Sequence, residues 1–286
     1  MKPKILLIGD EIIDEYIIGT CNRVSPEAPV VIVNIMKRIY RPGGAANVRD
    51  NLVALGASVE CYFGDKNPSI KTRIVADNKQ ITRVDNDNLQ QVLPPKDLEN
   101  KVKKCDIIMV SDYDKGVVNI PLMSKLLELK KKYKKRILVD PYKNRSKYGA
   151  VDLLKPNRKE LESVVGFDTK DRQSLYTAGR EYLEKSEAEN LVVTLGGEGI
   201  ALWDRKTYWD KPIVCKSEFK KEVIDLTGAG DTVFAVLGFI WSFKNFSKST
   251  SLRYANKAAS ISVSQFGCGV VTAKEVFDEE KNNSFY

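Results

Sequence analysis

The stretch Asp225-Leu-Thr-Gly-Ala-Gly-Asp231 decides how this chain is read. The strand-like Lys221–Ile224 stands before it. An apolar run from Thr232 to Phe243, broken only by Gly238 and Ser242, follows. That pattern predicts a glycine turn opening a helix. Gly228, Ala229 and Gly230 carry little or no side chain, so a ligand can come close to their amides. Those amides fall in the first helical turn, where N–H groups lack an intrahelical partner and the dipole favours an anion. Asp231 lies in the same turn. An aspartate there also serves as a plain helix cap, but capping leaves the second acid, Asp225, unexplained. An anion pocket beside a carboxylate suits phosphoryl transfer. The amides take developing charge, and Asp231 takes a proton from the attacking hydroxyl.

Composition narrows the chemistry further. The 286 residues are 43% hydrophobic and 29% charged, ordinary for a globular chain with a real core. There is no histidine, which excludes a Ser-His-Asp triad, a histidine-ligated zinc site and a histidine base. Proton transfer must therefore fall to a carboxylate, lysine, tyrosine or cysteine. Cys21, Cys61, Cys105, Cys215 and Cys268 are odd in number and never spaced Cys-x-x-Cys, which reads as free thiols in a reducing cytoplasm. The apolar run Ile5–Ile8 is too short for a signal peptide or membrane helix. The net charge of +8 suits anionic ligands. The densest basic run, Lys130–Arg136, sits at a predicted helix end, where the dipole favours cations, so a solvated helix end is preferred over a nucleic-acid surface.

Along the chain, residues 4–8 read as a buried parallel strand ending at Asp10, the position where open α/β sheets bind ligands. With Asp14 four residues on, two carboxylates could face one sugar. A proline-punctuated loop, Arg23–Pro29, precedes a strand Val30–Ile35. Arg41-Pro-Gly-Gly-Ala-Ala-Asn47 is a second glycine turn, opening a helix Ala46–Leu55, with Gly43 and Gly44 admitting a ligand and Asn47 offering donor and acceptor. Lys71–Ala76 and Gln80–Asp85 flank Asp77-Asn-Lys79 as a hairpin carrying Arg73 and Arg83. These cations suit a phosphorylated substrate or guard a sheet edge. Strands and helices then alternate: strand Cys105–Val110, helix Pro121–Tyr133, strand Arg136–Val139, strand Val151–Leu154, helices Glu160–Val165 and Leu175–Lys185, strand Leu191–Leu195 with its return Ile200–Trp203, and a helical Ser251–Phe266. This rhythm predicts an α/β domain with a mostly parallel sheet covered on both faces. Residues 1–286 form a single domain in this reading, with a β lid from about 15–42 and about 70–86.

The constellation resembles the ribokinase-like (phosphofructokinase-B type) sugar kinases, with their three-layer sandwich and β hairpin lid. It does so through Gly43-Gly44 with Asn47, Asn157-x-x-Glu160, Thr194-x-Gly196 and Asp225-x-Thr-Gly-Ala-Gly-Asp231. Within that family it is most similar to the heptose 7-phosphate kinases, including the kinase half of the bifunctional ADP-heptose synthesis enzyme. Ile8–Asp14, Arg23-Val-Ser-Pro-Glu-Ala-Pro-Val30, Lys71-Thr-Arg73 and Ser111-Asp-Tyr-x-Lys-Gly116 carry that closer likeness. The resemblance implies Asp231 as general base and Gly228, Ala229 and Gly230 as the anion hole. Asn157 and Glu160 would line the ATP·Mg²⁺ phosphates, with Glu160 reaching magnesium through water. Thr194 and Gly196, with Gly228 and Gly230, would hold nucleotide. Asp10, Asp14, Gly43, Gly44 and Asn47 would hold sugar hydroxyls, and Arg73 and Arg83 the sugar's phosphate. Asp225 and Thr227 would join a monovalent cation site such as K⁺.

Three departures from the family pattern stand out. Only Cys61–Ile70 bridges the first glycine helix and the hairpin, so about one βα unit is missing by ordinary element lengths. No nucleotidyltransferase half is present, so a separate one would act downstream. Ser260 replaces a common glycine, and Tyr142 interrupts the usual Asp-Pro-Lys pattern after Asp140. The expected activity is phosphorylation of the anomeric hydroxyl of a heptose 7-phosphate, with no nucleic acid or membrane partner expected and a homodimer that could pair through the lid. A kinase for another sugar of fructokinase or ribokinase type, or a non-catalytic sugar- or nucleotide-binding regulator, are the alternatives.

Overall fold

The computed structural model describes residues 2–64, 67–89, 91–142, 147–217 and 222–278. Its centre is set by β1 (Lys4–Gly9), whose Ile5-Leu-Leu-Ile8 is wholly buried. Successive side chains of a strand point to opposite faces, so an unbroken apolar run needs cover on both. Ile5 and Leu7 enter one core, and Leu6 and Ile8 enter the other. Burying each such side chain is worth about 1.5–3 kcal/mol.

β1 lies between β4 (Ser58–Tyr62) and β7 (Ile107–Ser111), parallel to both. The sheet continues in parallel through β8 (Arg136–Asp140), β9 (Leu153–Leu154) and β10 (Asn190–Thr194). It then turns back through antiparallel β11 (Ile200–Asp204) and β12 (Ile213–Cys215). One face is covered by α2 (Leu98–Lys104), α3 (Ile120–Tyr133), α4 (Arg158–Val165) and α5 (Arg172–Glu184), through Val102, Leu126, Leu161 and Tyr182. The other is covered by α1 (Ala45–Ala54), α6 (Ala229–Trp241), α7 (Lys248–Ser262) and α8 (Ala273–Phe277), through Leu52, Phe234, Ala255 and Val276. This is the ribokinase-like three-layer α/β arrangement. The basic run is indeed the end of α3, where Lys132 pairs with Glu99 at 2.6 Å and Lys130 with Asp152 at 2.9 Å. The five cysteines are free thiols. Among the described residues no helix is long and apolar enough to cross a membrane.

The lid is a second sheet of four strands, ordered β3-β2-β5-β6. β2 (Glu11–Val24) and β3 (Val31–Gly44) form a long hairpin, and β5 (Ser69–Ala76) and β6 (Lys79–Asn86) a short one. Parallel pairing of β2 with β5 joins them. The short hairpin turns at Asp77 and Asn78, both at positive φ (49° and 62°), the two-residue turn that matches strand twist. The long hairpin leaves the main sheet at Asp10 and returns at Gly44, where the Ala45 amide donates to the Asp10 carbonyl at 3.0 Å. Val24, Ile35, Met36 and Tyr40 of this hairpin are exposed.

Several sequence expectations shift. The strand Val30–Ile35 is only the start of β3, because pairing with β2 carries it to Gly44. The strand placed at Cys105–Val110 begins at Ile107, since α2 runs to Lys104 and Cys105 closes it. Glu222–Ile224 is not a strand; Lys221 lies outside the described residues. The amides of Ile224 and Asp225 donate instead to the Val263 carbonyl just past α7. As expected, no helix intervenes between β4 and β5 among the described residues, so β4 ends the sheet.

Gly179 of α5 sits against the indole of Trp203, and a methyl there would overlap the ring. Alanine gains about 1 kcal/mol in helix propensity, whereas overpacking costs about 1–3 kcal/mol. Gly179→Ala should therefore lower stability, read as a reduced urea midpoint with an unchanged slope. A raised midpoint would show that α5 can move off the sheet.

Candidate active site

The site forms where β1, β7, β8 and β9 end and α6 begins. Gly228 caps α6 at φ 78°, a conformation that favours glycine, and provides no side-chain cap. A Cβ there would also sit 2.5 Å from Asn47 Nδ2. The first-turn amides of Gly230 and Asp231 are thus left for an anion.

Asp231 is 3% exposed. The Tyr113 hydroxyl donates to its Oδ1 at 2.6 Å, and Asn47 Nδ2 donates to its Oδ2 at 3.0 Å. Asn51 donates in turn to Asn47 Oδ1 at 3.1 Å and accepts from the Val271 amide at 3.0 Å, which fixes which way the Asn47 amide faces. Burial pushes the Asp231 carboxyl above the ordinary carboxylate range, while the Tyr113 and Asn47 donors and the Lys155 charge pull it back. A carboxyl whose pKa is raised is, when charged, a stronger base.

Asp14 is 4% exposed and ion-paired with Arg73, and the Cys268 thiol donates to its Oδ2 at 3.2 Å. Burial pushes the Cys268 thiol far up, so it stays protonated. Gly43 makes room for Asp14: a side chain there would overlap Oδ2. Arg73 also lies over the Tyr16 ring, 5.3 Å from its centroid. Gly44 is the residue from which α1 starts.

Three expected sugar contacts are corrected. Asp10 is fully buried, and its carboxylate accepts from the amides of Tyr113, Lys115 and Val117 at 2.8–3.1 Å. It clamps the loop after β7 and does not face the crevice. Arg83 points to solvent and pairs with Asp85 at 2.8 Å, although its backbone lies opposite Arg73 in the β5–β6 ladder. Asn47 directs its amide to Asp231.

On the nucleotide side, Asn157 and Thr194 are bridged between neighbouring chain segments. Asn157 and Glu160 form a capping box on α4, with Asn157 N–H to Glu160 Oε2 at 2.7 Å and Glu160 N–H to Asn157 Oδ1 at 2.9 Å. The box engages one oxygen of Glu160, which fits a carboxylate that touches a metal through water. Among the described residues no three acidic or thiol groups cluster as a metal cage. Gly196 has open space where a side chain would be. Beside it lies a cleft of about 480 Å³ lined by Leu175, Tyr176, Leu195 and Val214 together with the charged Arg158, Lys170, Arg172 and Lys216. Asp225 accepts from the Thr227 amide and hydroxyl at 2.9 and 2.7 Å, from the Gly267 amide at 3.1 Å and from the Tyr16 hydroxyl at 3.5 Å. These bonds close the loop that leads into the glycine turn.

Sequence reasoning missed Tyr113, Asp140, Lys155 and Lys71. Asp140 and Lys155 pair at 3.0 Å at the ends of β8 and β9. The Lys71 ammonium lies over the Tyr113 ring, 5.2 Å from its centroid, and makes no ion pair among the described residues. Each stands at or near a strand end, the one signal that could have marked them.

Residues 61–274 match the pfkB family carbohydrate kinase profile. The bifunctional protein HldE of Aliarcobacter butzleri is 33% identical over 316 aligned positions, covering 98% of this chain and 65% of that protein. The chain thus spans about two thirds of the length of such relatives, and the aligned length exceeds its own 286 residues, so they carry insertions relative to it. Among solved structures, Arabidopsis thaliana ribokinase complexed with ribose and ATP superposes with a TM-score of 0.78 at 19% identity, covering 96% of this chain and 98% of that one. Phosphofructokinase-2 from Escherichia coli in complex with potassium gives 0.73 at 18% identity, covering 96% and 97%. The fold, the glycine nest with its buried acid and the profile match agree: the chain belongs to the pfkB family of carbohydrate kinases.

Proposed function

We propose that this protein transfers the γ-phosphoryl group of ATP to the anomeric hydroxyl of a heptose 7-phosphate. The observation that carries the reading is Asp231, a buried carboxylate held by Tyr113 and Asn47 beside the open amides of α6. The sugar hydroxyl would rest against Asp231, which takes its proton as the oxygen attacks in line. The amides of Gly230 and Asp231 would face the charge that develops on the transferred group. Magnesium carried in with the nucleotide would neutralise phosphate charge, with Glu160 the residue placed to hold its waters.

Lys71 supports a substrate that already bears a phosphate. Arg73, the expected partner of that phosphate, is tied to Asp14, whereas Lys71 is half-buried without a carboxylate and faces the site across Tyr113. Burial pushes its pKa down, so a bound anion would restore what desolvation removes. The resemblance to heptose 7-phosphate kinases, carried by Lys71-Thr-Arg73 and the Ser-Pro-Glu-Ala-Pro loop, supports the heptose itself.

Sugar-dependent release of ADP over a panel of sugars and sugar phosphates tests the reading, with Asp231→Asn expected to lower turnover by about 10²–10⁴. Parent-like turnover in that variant would remove Asp231 as base. Lys71→Met should raise KM for heptose 7-phosphate about 10–100-fold, from loss of a charged contact, with kcat little changed. Equal rates on heptose with and without its 7-phosphate would point to a different sugar. Because only charged Asp231 accepts the proton, kcat/KM should fall as pH drops through its raised pKa. Tyr113→Phe removes a donor that lowers this pKa, so the acid limb should move to higher pH. An unmoved limb would assign it to another group.

A further inference from the structure

In the stretch Ser111-Asp-Tyr-x-Lys-Gly116, the Tyr113 hydroxyl goes to Asp231 and the amides of Tyr113 and Lys115 go to Asp10, which leaves Asp112 unexplained. Its side chain is wholly buried, and its Oδ2 accepts from Lys147 Nζ at 2.5 Å and from the Tyr148 hydroxyl at 2.6 Å. Its Oδ1 accepts from the Asp114 amide at 2.8 Å. Asp114 stands at φ 59°, a left-handed conformation that few side chains adopt. Lys147 is itself buried and also donates to the Val118 carbonyl at 3.2 Å, on the approach to α3. The Tyr148 hydroxyl accepts from the Tyr142 amide at 2.8 Å. Burial and the Asp112 charge push Tyr148 far above the ordinary phenol range, so it keeps the proton it donates. The loop after β7 is thus tied on one side to the chain between β8 and β9, and gathered on the other by Asp10. Tyr113 stands between the two anchors.

We infer that Asp112, Lys147 and Tyr148 are positioning residues for the phosphotransfer: together they hold the backbone at Tyr113 so that its hydroxyl meets Asp231. The inference rests on the reading of Asp231 as the base. A buried ion pair kept for stability alone is poorly motivated, because its attraction barely offsets the loss of water. Here the anion of the pair is one peptide away from the residue that donates to Asp231. A hydrogen bond weakens steeply with misalignment, so a tilt of this loop would loosen the 2.6 Å bond from Tyr113. Asp231 is also faced by Lys155, Asp14, Asp140 and Cys268. Asp10 adds a like charge beside Asp112. The Asp112 amide donates to the Asp140 carbonyl at 3.0 Å, so a test must separate a route through Tyr113 from one through Asp140.

Tyr148→Phe removes one donor to Asp112 and keeps the ring. In assays of sugar-dependent ADP release, the acid limb of its kcat/KM should move to higher pH, as for Tyr113→Phe, because the donor that lowers the Asp231 pKa is loosened. Its kcat should fall about 2–10-fold, the worth of about one hydrogen bond, with KM for ATP unchanged. Lys147→Met, a second variant that frees the same loop should Tyr148→Phe not fold, should move the limb in the same direction. In a Tyr113→Phe background, either substitution should move the limb no further. A limb that stays with the parent's while the urea midpoint falls would leave the three residues a role in stability alone and overturn the inference. A further shift in the Tyr113→Phe background would overturn it too, since the effect would then bypass Tyr113. A parent without sugar-dependent ADP release would instead refute the kinase reading itself.

Discussion

A carboxylate withdrawn from water at the opening of a helix is under two opposed demands. It must carry charge to act as a base, and burial resists that charge. Asp231 meets both because two side-chain donors and the positive end of α6 replace the lost water. Neither donor is free to turn. Asn47 is held by Asn51, which also ties down the Val271 amide, and Tyr113 sits in a loop whose amides converge on Asp10. The Asp231 carboxylate is therefore only as well placed as the strand ends behind it.

The same logic explains why the lid and the nest cannot be considered apart. Asp14 and Tyr16 belong to β2, the first lid strand. Asp14 is paired with Arg73 on β5, and Tyr16 reaches Asp225 at the mouth of the glycine turn. Tyr16 packs on Phe266 at 5.0 Å, next to the Gly267 amide that also bonds Asp225. A displacement of the lid is thus felt at the anion nest through side chains that touch both.

What the sequence revealed depended on how local each feature is. The glycine turn, Asp231 and the start of α6 lie within a few residues, and periodicity on either side fixes their order. The hairpin of Lys71 to Asp85 was equally legible because Asp77-Asn78 is its own turn signal. By contrast Tyr113, Asp140 and Lys155 meet Asp231 only once β7, β8 and β9 align beside β1, and no spacing within one segment encodes that meeting. Asp10 shows the limit from the other side. An acid after a buried strand can face a ligand or gather the amides of a neighbouring loop, and the residues around Asp10 are the same in both cases. Likewise Arg73 and Arg83 sit opposite each other in the ladder, yet their charges go to Asp14 and Asp85.

Ending the main sheet at β4 has a cost of another kind. An outermost strand displays unsatisfied main-chain groups along one side and can recruit a strand from a second molecule into an aggregate. In this protein the outermost strand is only five residues long, Ser58–Tyr62, and carries Glu60 clasped to Lys101 at 2.5 Å. A short rim bearing a fixed charge is a poor template for stacking, where a longer, uncharged rim would invite fibres.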